Sequence, residues 1–169
     1  MVIRLATSAA ATAIARVHVL SWQTGYRGLV SDSLLDGLSI KRRAAFWEDV
    51  LTNPLPNQRT FLADFSGDIR GFVTAGRCRD KDSATSGELQ AIHVLPEQWD
   101  TGTGSALHNT CIDALRADAF LHATLWVVEG NERALRFYRK HGWERDGARK
   151  LDEWDGAALN EIRLRRTLK

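Results

Sequence analysis

Two glycines between a strand-like run and a helix-like run constrain this chain more than any other feature of its sequence. Gly102 and Gly104 lie within Gln-Trp-Asp-Thr-Gly-Thr-Gly-Ser-Ala-Leu, residues 98–107. At a helix start the backbone N–H groups lack partners and carry the positive end of the helix dipole, so an anion binds there favourably. The stretch therefore predicts a loop that can hold phosphate groups.

The spacing around these glycines excludes two nucleotide-binding motifs. A dinucleotide-binding fingerprint needs a third glycine or alanine three residues after Gly104, where this chain has Leu107. A nucleotide P-loop needs lysine and then serine or threonine after its last glycine, whereas Ser105 follows Gly104 directly. Because glycines also mark ordinary helix starts, the spacing alone leaves phosphate binding and a simple turn as alternatives.

The order of periodic segments predicts one α/β (α+β) domain over residues 1–169. The chain is 44% hydrophobic and 26% charged, as in ordinary globular proteins. The pattern implies a mixed, mostly antiparallel central sheet of about six to seven strands flanked by helices. The predicted strands are 2–5, 60–65, 69–75, 88–95, 121–128, 143–150 and 158–168, with a turn at 155–156. The predicted helices are 8–22, 32–38, a segment around 46–51, 104–118 and 131–141, with Ser8, Asp32 and Asn131 as caps.

Charge, cysteine usage and hydropathy narrow the classes of partner. The formal net charge of +2 is too small to predict nucleic-acid binding. Cys78 and Cys111 show neither metal-ligand nor disulfide spacing, so we expect buried packing roles, no metal and a reducing, cytoplasmic compartment. No apolar run approaches the roughly 18 residues of a membrane span. The alanine-rich segment 9–15 is interpreted as an amphipathic helix, not a signal peptide.

Two separate segments resemble signatures of the Gcn5-related N-acetyltransferase (GNAT) superfamily. The run 88–96 and the following glycine loop are similar to that family's strand and its Gln/Arg-x-x-Gly-x-Gly/Ala loop. Residues 131–143 are similar to its Asn-x-x-Ala-x-x-Phe-Tyr-x-x-x-Gly-Phe signature, with Tyr138 at the tyrosine position. The resemblance covers about 60–169 and covers the first helices only loosely. It implies a GNAT-like fold that binds acyl-CoA.

The resemblance implies acetyl-CoA as co-substrate, with its pyrophosphate against the backbone amides of 102–105 and its pantetheine arm along the strand edge at 92–94. Trp99 stands where the family pattern has Gln or Arg, so a side-chain donor is lost while the backbone amides remain. Ser105, Thr103 and Asn131 also suit helix capping, and Lys140 also suits a solvated helix face. The implied cofactor-binding residues are Ile92, His93, Val94, Trp99, Gly102, Thr103, Gly104, Ser105, Asn131 and Lys140.

The resemblance also suggests an acid and a base. Tyr138 is the candidate acid, because a departing CoA thiolate needs a proton and a phenol, with an unperturbed pKa of about 10, keeps one at working pH. The alternative for Tyr138 is a core tyrosine. Glu88 is the candidate base for the acceptor ammonium, with a solvent-facing strand end as its alternative. His93 is a further candidate base.

The expected function is transfer of an acetyl group from acetyl-CoA to a primary amine, by direct attack in a ternary complex. The alternative is a non-catalytic acyl-CoA-binding or regulatory module on the same fold. Trp22 and Tyr26, one helical turn apart, are candidates for the acceptor pocket or for core packing. A small-molecule amine and a peptide N-terminus both remain open as acceptors. The terminal strands could pair between two subunits, so a homodimer remains an open alternative.

Overall fold

Seven strands form one sheet within residues 1–83, 85–154 and 156–168, the residues that the computed structural model describes. The strands are β1 (Val2–Leu5), β2 (Arg59–Phe65), β3 (Asp68–Arg77), β4 (Gly87–Val94), β5 (His122–Val128), β6 (Glu144–Trp154) and β7 (Ala157–Thr167). The helices are α1 (Ala11–Gly25), α2 (Asp32–Asp36), α3 (Ile40–Thr52), α4 (Thr103–Ala117) and α5 (Glu132–Lys140). The predicted mixed, mostly antiparallel sheet flanked by helices is confirmed.

The sheet opens between its two parallel neighbours. Strand order is β1-β2-β3-β4-β5-β7-β6, and every neighbouring pair is antiparallel except β4 and β5. These two strands pair only at Gly87 with Ala123 and at Glu88 with Thr124. The β3–β4 register shifts beside Gln90, which forms a bulge in β4. Because a bulge bends its strand, β4 diverges from β5 and leaves a V-shaped cleft.

Helices cover both faces of the sheet. On one face, α4 and α5 bury Leu107, Cys111 and Leu135 in one cluster with apolar residues of β2, β3, β4, β5 and β7. On the other face, α1 and α3 bury Ile14 and Trp47 against β2 and β3. Helical spacing of apolar residues explains both packings, because residues three and four apart share a helix face. Cys78 and Cys111 are free and buried, as expected from the sequence.

Local turn chemistry explains the hairpin between β2 and β3. Phe65 pairs with Asp68, so Ser66 and Gly67 form a two-residue loop. Both residues have positive φ, 56° and 96°, as a type I′ turn requires. The strands predicted at 60–65 and 69–75 therefore form a hairpin, and Asp68 is the first residue of the second strand.

Several predicted boundaries are wrong by a few residues. Ser8 begins a 3-10 turn and does not cap α1, which starts at Ala11 and continues to Gly25. Asp32 is the first residue of α2, whose N-cap is Ser31. β6 extends to Trp154 because it pairs with β7 out to that residue.

The predicted turn at 155–156 lies partly outside the described residues, since Asp155 is not among them; Gly156 has a φ of 88°. No helix in the described ranges is long and apolar enough to cross a membrane.

Candidate active site

The diverging strands β4 and β5 enclose a cleft of about 1060 Å³. The start of α4 and one side of α5 line one part of it, while α1, β6 and β7 line the other. Of the fourteen site residues predicted from the sequence, all except Thr103 line this cleft. The fold therefore brings together residues that are distant in sequence.

β4 presents to the cleft backbone groups that have no partner strand. The N–H of Leu95 donates to the carbonyl of Arg70 at 2.9 Å, so the backbone of Leu95 faces β3. Because successive residues of an antiparallel strand alternate in direction, Val94 and Ile92 turn their N–H and C=O groups away from β3. The cleft is therefore bordered by a free strand edge.

The glycine loop forms the N-terminus of α4. Gly102 is its N-cap and has a φ of 93°, a left-handed conformation that favours glycine. The first backbone N–H groups of a helix lack intrahelical partners, so those of 103–105 are available to an anion. The hydroxyl of Ser105 lies 3.1 Å from Nε2 of His141.

Thr103 differs from its neighbours in the loop. Its side chain is buried, and its hydroxyl lies 3.0 Å from that of Thr101 and donates to Oε1 of Gln98 at 3.3 Å. The side chain therefore stabilises the loop from inside and does not line the cleft. Only the backbone amide of Thr103 remains available to a ligand.

Trp99 contacts both β4 and α5 at the cleft. Its indole Nε1 donates to the carbonyl of Val94 at 2.9 Å. The guanidinium carbon of Arg133, in α5, lies 3.4 Å from the centroid of the Trp99 ring. Burial lowers the pKa of Arg133. A cation therefore sits beside the position where the family pattern has Gln or Arg, supplied by α5 and not by the loop.

Tyr138 is buried, 7% exposed, yet its side chain lines the cleft. Within the described residues, its hydroxyl makes no hydrogen bond. Burial, with smaller contributions from Tyr26 and Cys111, raises the pKa of Tyr138 well above its ordinary value. The phenol is therefore neutral and able to donate a proton throughout the working pH range.

Glu88 is a buried ion-pair partner and not a solvent-facing strand end. Its side chain is 3% exposed, and Oε1 accepts from Nη2 of Arg79 at 2.5 Å. Oε2 accepts from both Nε and the backbone N–H of Arg79, each at 3.0 Å. Both carboxylate oxygens are thus already occupied by donors from the loop between β3 and β4.

His93 stacks on His18, with ring centroids 4.5 Å apart, and its Nδ1 lies 3.0 Å from the hydroxyl of Ser21. Burial, then Arg43 and Arg133, lower the pKa of His93 to about 3. A neutral imidazole with so low a pKa is a weak proton acceptor. These contacts favour a packing role for His93 between β4 and α1.

Asn131 is a helix cap that also reaches the cleft. Its side chain accepts from the backbone N–H of Ala134 at 3.1 Å, which confirms the capping prediction. Burial, and secondly Glu161, raise the pKa of Tyr26 to about 12, while Asn131 opposes the rise. Tyr26 in turn stacks on Trp22, with ring centroids 4.3 Å apart.

A model of the acetyltransferase (GNAT) family matches residues 22–143. The chain belongs to the GNAT family. The match includes β4, the glycine loop, β5 and α5, so the resemblance stated from the two sequence segments is confirmed.

Relatives of this GNAT chain include the "Uncharacterized N-acetyltransferase YuaI" of Bacillus subtilis. It is 31% identical over 152 residues, which cover 89% of this chain and 84% of YuaI. Among solved structures, PaiA N-acetyltransferase from Thermoplasma acidophilum, in complex with coenzyme A, has a TM-score of 0.71 at 18% identity and covers 99% of both chains. The putative acetyltransferase yncA from Salmonella typhimurium, with acetyl-CoA, has a TM-score of 0.69 at 18% identity, covering 100% of this chain and 94% of that one. At these identities the two structures show a shared fold.

Several cleft residues of this GNAT protein carry no sequence signal of their own. Arg79 lies in a loop without periodic patterning, and Lys150 and Trp154 lie on a strand whose alternation is weak. Glu161 belongs to a C-terminal strand, and the sequence leaves open whether its side chain faces the acceptor. Their places at the cleft depend on the β6–β7 register and on the path of the β3–β4 loop.

Proposed function

We propose that this protein transfers an acetyl group from acetyl-CoA to a primary amine, which attacks the thioester directly while both substrates are bound. One observation carries the proposal: a free strand edge, a helix N-terminus and a buried neutral phenol share one cleft. A binding module needs the first two features, but it has no use for a buried proton donor. In the described lining of the cleft, Ser21 and Ser105 each lie beside an imidazole, that of His93 and that of His141. The pKa of each histidine is lowered, and the Ser21 hydroxyl donates to the carbonyl of His18. Neither pair therefore makes a strong nucleophile, which favours direct attack over a covalent enzyme intermediate.

The cleft suits the chemical groups of coenzyme A. The pyrophosphate fits the N–H groups at the start of α4, with Arg133, Arg136 and Lys140 lining the same cleft. The amides of pantetheine fit the free edge of β4, as an added strand does. Trp99 donates to one of the carbonyls on that edge, so it contacts the same path. These residues are the proposed cofactor site.

The proposed chemistry uses the chain's own donors. An N–H on the β4 edge polarises the thioester carbonyl as charge develops on its oxygen. The amine nitrogen forms a bond to the carbonyl carbon, the carbon–sulfur bond breaks, and Tyr138 protonates the departing thiolate. Trp22 and Tyr26, beside Tyr138 in the cleft, are the proposed acceptor contacts.

An assay of free thiol release from acetyl-CoA, over a panel of small amines, amino acids, polyamines and peptide N-termini, tests the proposal. Turnover with at least one amine is expected. Binding of CoA by calorimetry without any turnover would instead favour the non-catalytic acyl-CoA-binding module. Failure to bind CoA would contradict both.

Gly104→Val is expected to weaken acetyl-CoA binding about 10- to 100-fold, the effect of losing charge-assisted hydrogen bonds worth about 1.5–3 kcal/mol. A Cβ at this position lies 3.4 Å from the Phe137 ring, so valine crowds the space in front of the α4 N-terminus. Calorimetry measures the dissociation constant. Ala106→Val, on the same helix and away from the cleft lining, is the control. Equal affinity of both variants for acetyl-CoA would contradict the phosphate site.

A further inference from the structure

We infer that Glu161, not Glu88, takes the proton from the acceptor ammonium, an assignment that rests on the proposed acetyl transfer. Glu161 lies on β7, opposite Val128 of β5 and Lys150 of β6. Its side chain is 11% exposed and lines the same cleft as Tyr26 and Tyr138.

The two carboxylates differ in the oxygens they leave open. Arg79 occupies both oxygens of Glu88, through its guanidinium and its backbone N–H. In Glu161, Oε2 lies 3.2 Å from Nζ of Lys150, and Oε1 has no hydrogen-bond donor within the described residues. A general base must come within hydrogen-bond reach of the proton it removes. Glu161 has an oxygen free to do so.

The electrostatic surroundings also suit a proton acceptor. Burial raises the pKa of Glu161 above its ordinary value, although Lys150 opposes the shift. Asp152 adds to the rise and Arg79 opposes it, while Tyr26 faces Glu161 from α1. A carboxylate with a raised pKa is a stronger base than an exposed one.

The charge balance around this part of the cleft favours a cationic acceptor. Among the described residues that line this part of the cleft, four carboxylates accompany two basic side chains; they are Asp80, Glu88, Asp152 and Glu161, with Arg79 and Lys150. An excess of negative charge attracts an ammonium and stabilises it next to a carboxylate. Asp80 is also paired with Arg163, which lies outside the cleft lining.

The proton balance of the reaction closes with this assignment. The ammonium gives one proton to Glu161, and the neutral amine attacks the carbonyl carbon. The carbon–sulfur bond breaks, and Tyr138 gives its proton to the thiolate. The nitrogen then loses its second proton to the Tyr138 phenolate, and Glu161 releases its proton to water. The products are the amide, free coenzyme A and one proton.

Glu161→Gln is expected to lower kcat/KM for the amine about 100- to 10,000-fold near neutral pH, the usual contribution of a general base. The Kd of the Glu161→Gln variant for acetyl-CoA should stay within about twofold of the Kd of the unmodified protein. General acid–base groups act on the transition state and not on cofactor binding. Glu129→Gln is the matched control, since Glu129 pairs with Arg149 at 3.0 Å and lies outside the cleft lining. Circular dichroism and thermal unfolding check that each variant is folded.

Lys150→Met changes the pH dependence of kcat/KM, a measurement that would not respond if the role of Glu161 were only structural. Removing a positive charge beside Glu161 raises the pKa of that carboxyl, so the acid limb of the kcat/KM profile should move to higher pH. A limb caused by titration of the amine itself does not move in this variant. Glu88→Gln should leave the position of the limb unchanged. This comparison also serves if Glu161→Gln does not fold.

Two results would overturn the assignment of Glu161 without contradicting acetyl transfer. The first is an acid limb of kcat/KM that is still present in Glu161→Gln. The second is an acid limb that keeps its position in Lys150→Met but shifts in Glu88→Gln. Absence of turnover by the unmodified protein with every amine would contradict the acetyl transfer itself, and the role of Glu161 with it.

Discussion

Tyr138→Phe is expected to lower kcat about 100- to 10,000-fold while the affinity for acetyl-CoA stays nearly unchanged. The substitution removes one hydroxyl from a ring that is otherwise held by its contacts with Phe137 and Trp143. Because the hydroxyl makes no hydrogen bond within the described residues, its loss leaves no orphaned partner there. The fall in turnover therefore isolates protonation of the thiolate, measured as free thiol release against calorimetric binding.

Tyr26→Phe is the comparison for this variant, since it removes the chain's other phenol from the same cleft. Tyr26 is proposed to contact the acceptor, so this variant should change mainly the KM for the amine. Because burial raises the pKa of Tyr138 above its usual range, deprotonation of Tyr138 should produce no basic limb below about pH 10. Unchanged kcat in Tyr138→Phe would remove this residue from the acid role.

Arg163→Ala is expected to reduce the free energy of unfolding by about 2–4 kcal/mol. Removing one partner of a buried ion pair costs about 3–5 kcal/mol, and the exposure of Asp82 reduces that figure. Arg163 is 8% exposed, and its guanidinium lies 2.7 Å from Asp146, 2.8 Å from Asp82 and 3.1 Å from Asp80. Without it, three carboxylates face one another across β6 and the β3–β4 loop. Urea unfolding measures the loss.

Arg165→Ala is the control, because Arg165 is exposed and lies two residues along the same strand. Arg163 lowers the pKa of the Asp82 carboxyl. A lowered carboxyl pKa contributes stability above the unfolded-state pKa and loses it as the pH falls through the folded-state value. The difference in the free energy of unfolding between Arg163→Ala and the unmodified protein should therefore become smaller at acidic pH. An equal loss in Arg165→Ala would contradict the role assigned to Arg163.

Much of the fold was predictable because its signals are local. Ser66 and Gly67 specify a tight turn, and Asn131 caps α5 through a bond three residues away. Such features depend on neighbouring residues only, so sequence patterns capture them. Helix ends were less predictable, since α1 continues to Gly25 through packing contacts that have no local signature.

The candidate site was predictable only in part. The motif around Tyr138 and the glycine loop identified two sides of the cleft. The contacts that give Glu88 and Glu161 different hydrogen-bond partners were not predictable. Those of Glu88 depend on the β3–β4 loop, and that of Glu161 depends on the neighbouring strand β6. Thr103 shows the same limit, since its side chain turns away from the cleft to bond Gln98.

The sequence by itself determined the order of strands and helices and the family, and it predicted an anion-binding site at the start of α4. The tertiary structure decided that β4 and β5 part after Glu88, because they pair at two positions and the bulge at Gln90 then bends β4 away from β5. It also decided which carboxylate keeps an oxygen without a hydrogen-bond donor among the described residues. The path of the β3–β4 loop brings the donors of Arg79 to Glu88. The β6–β7 register places Lys150 beside Glu161, where it pairs with one carboxylate oxygen. Ion pairing between distant segments depends on their packing in three dimensions, which no local pattern of residues encodes.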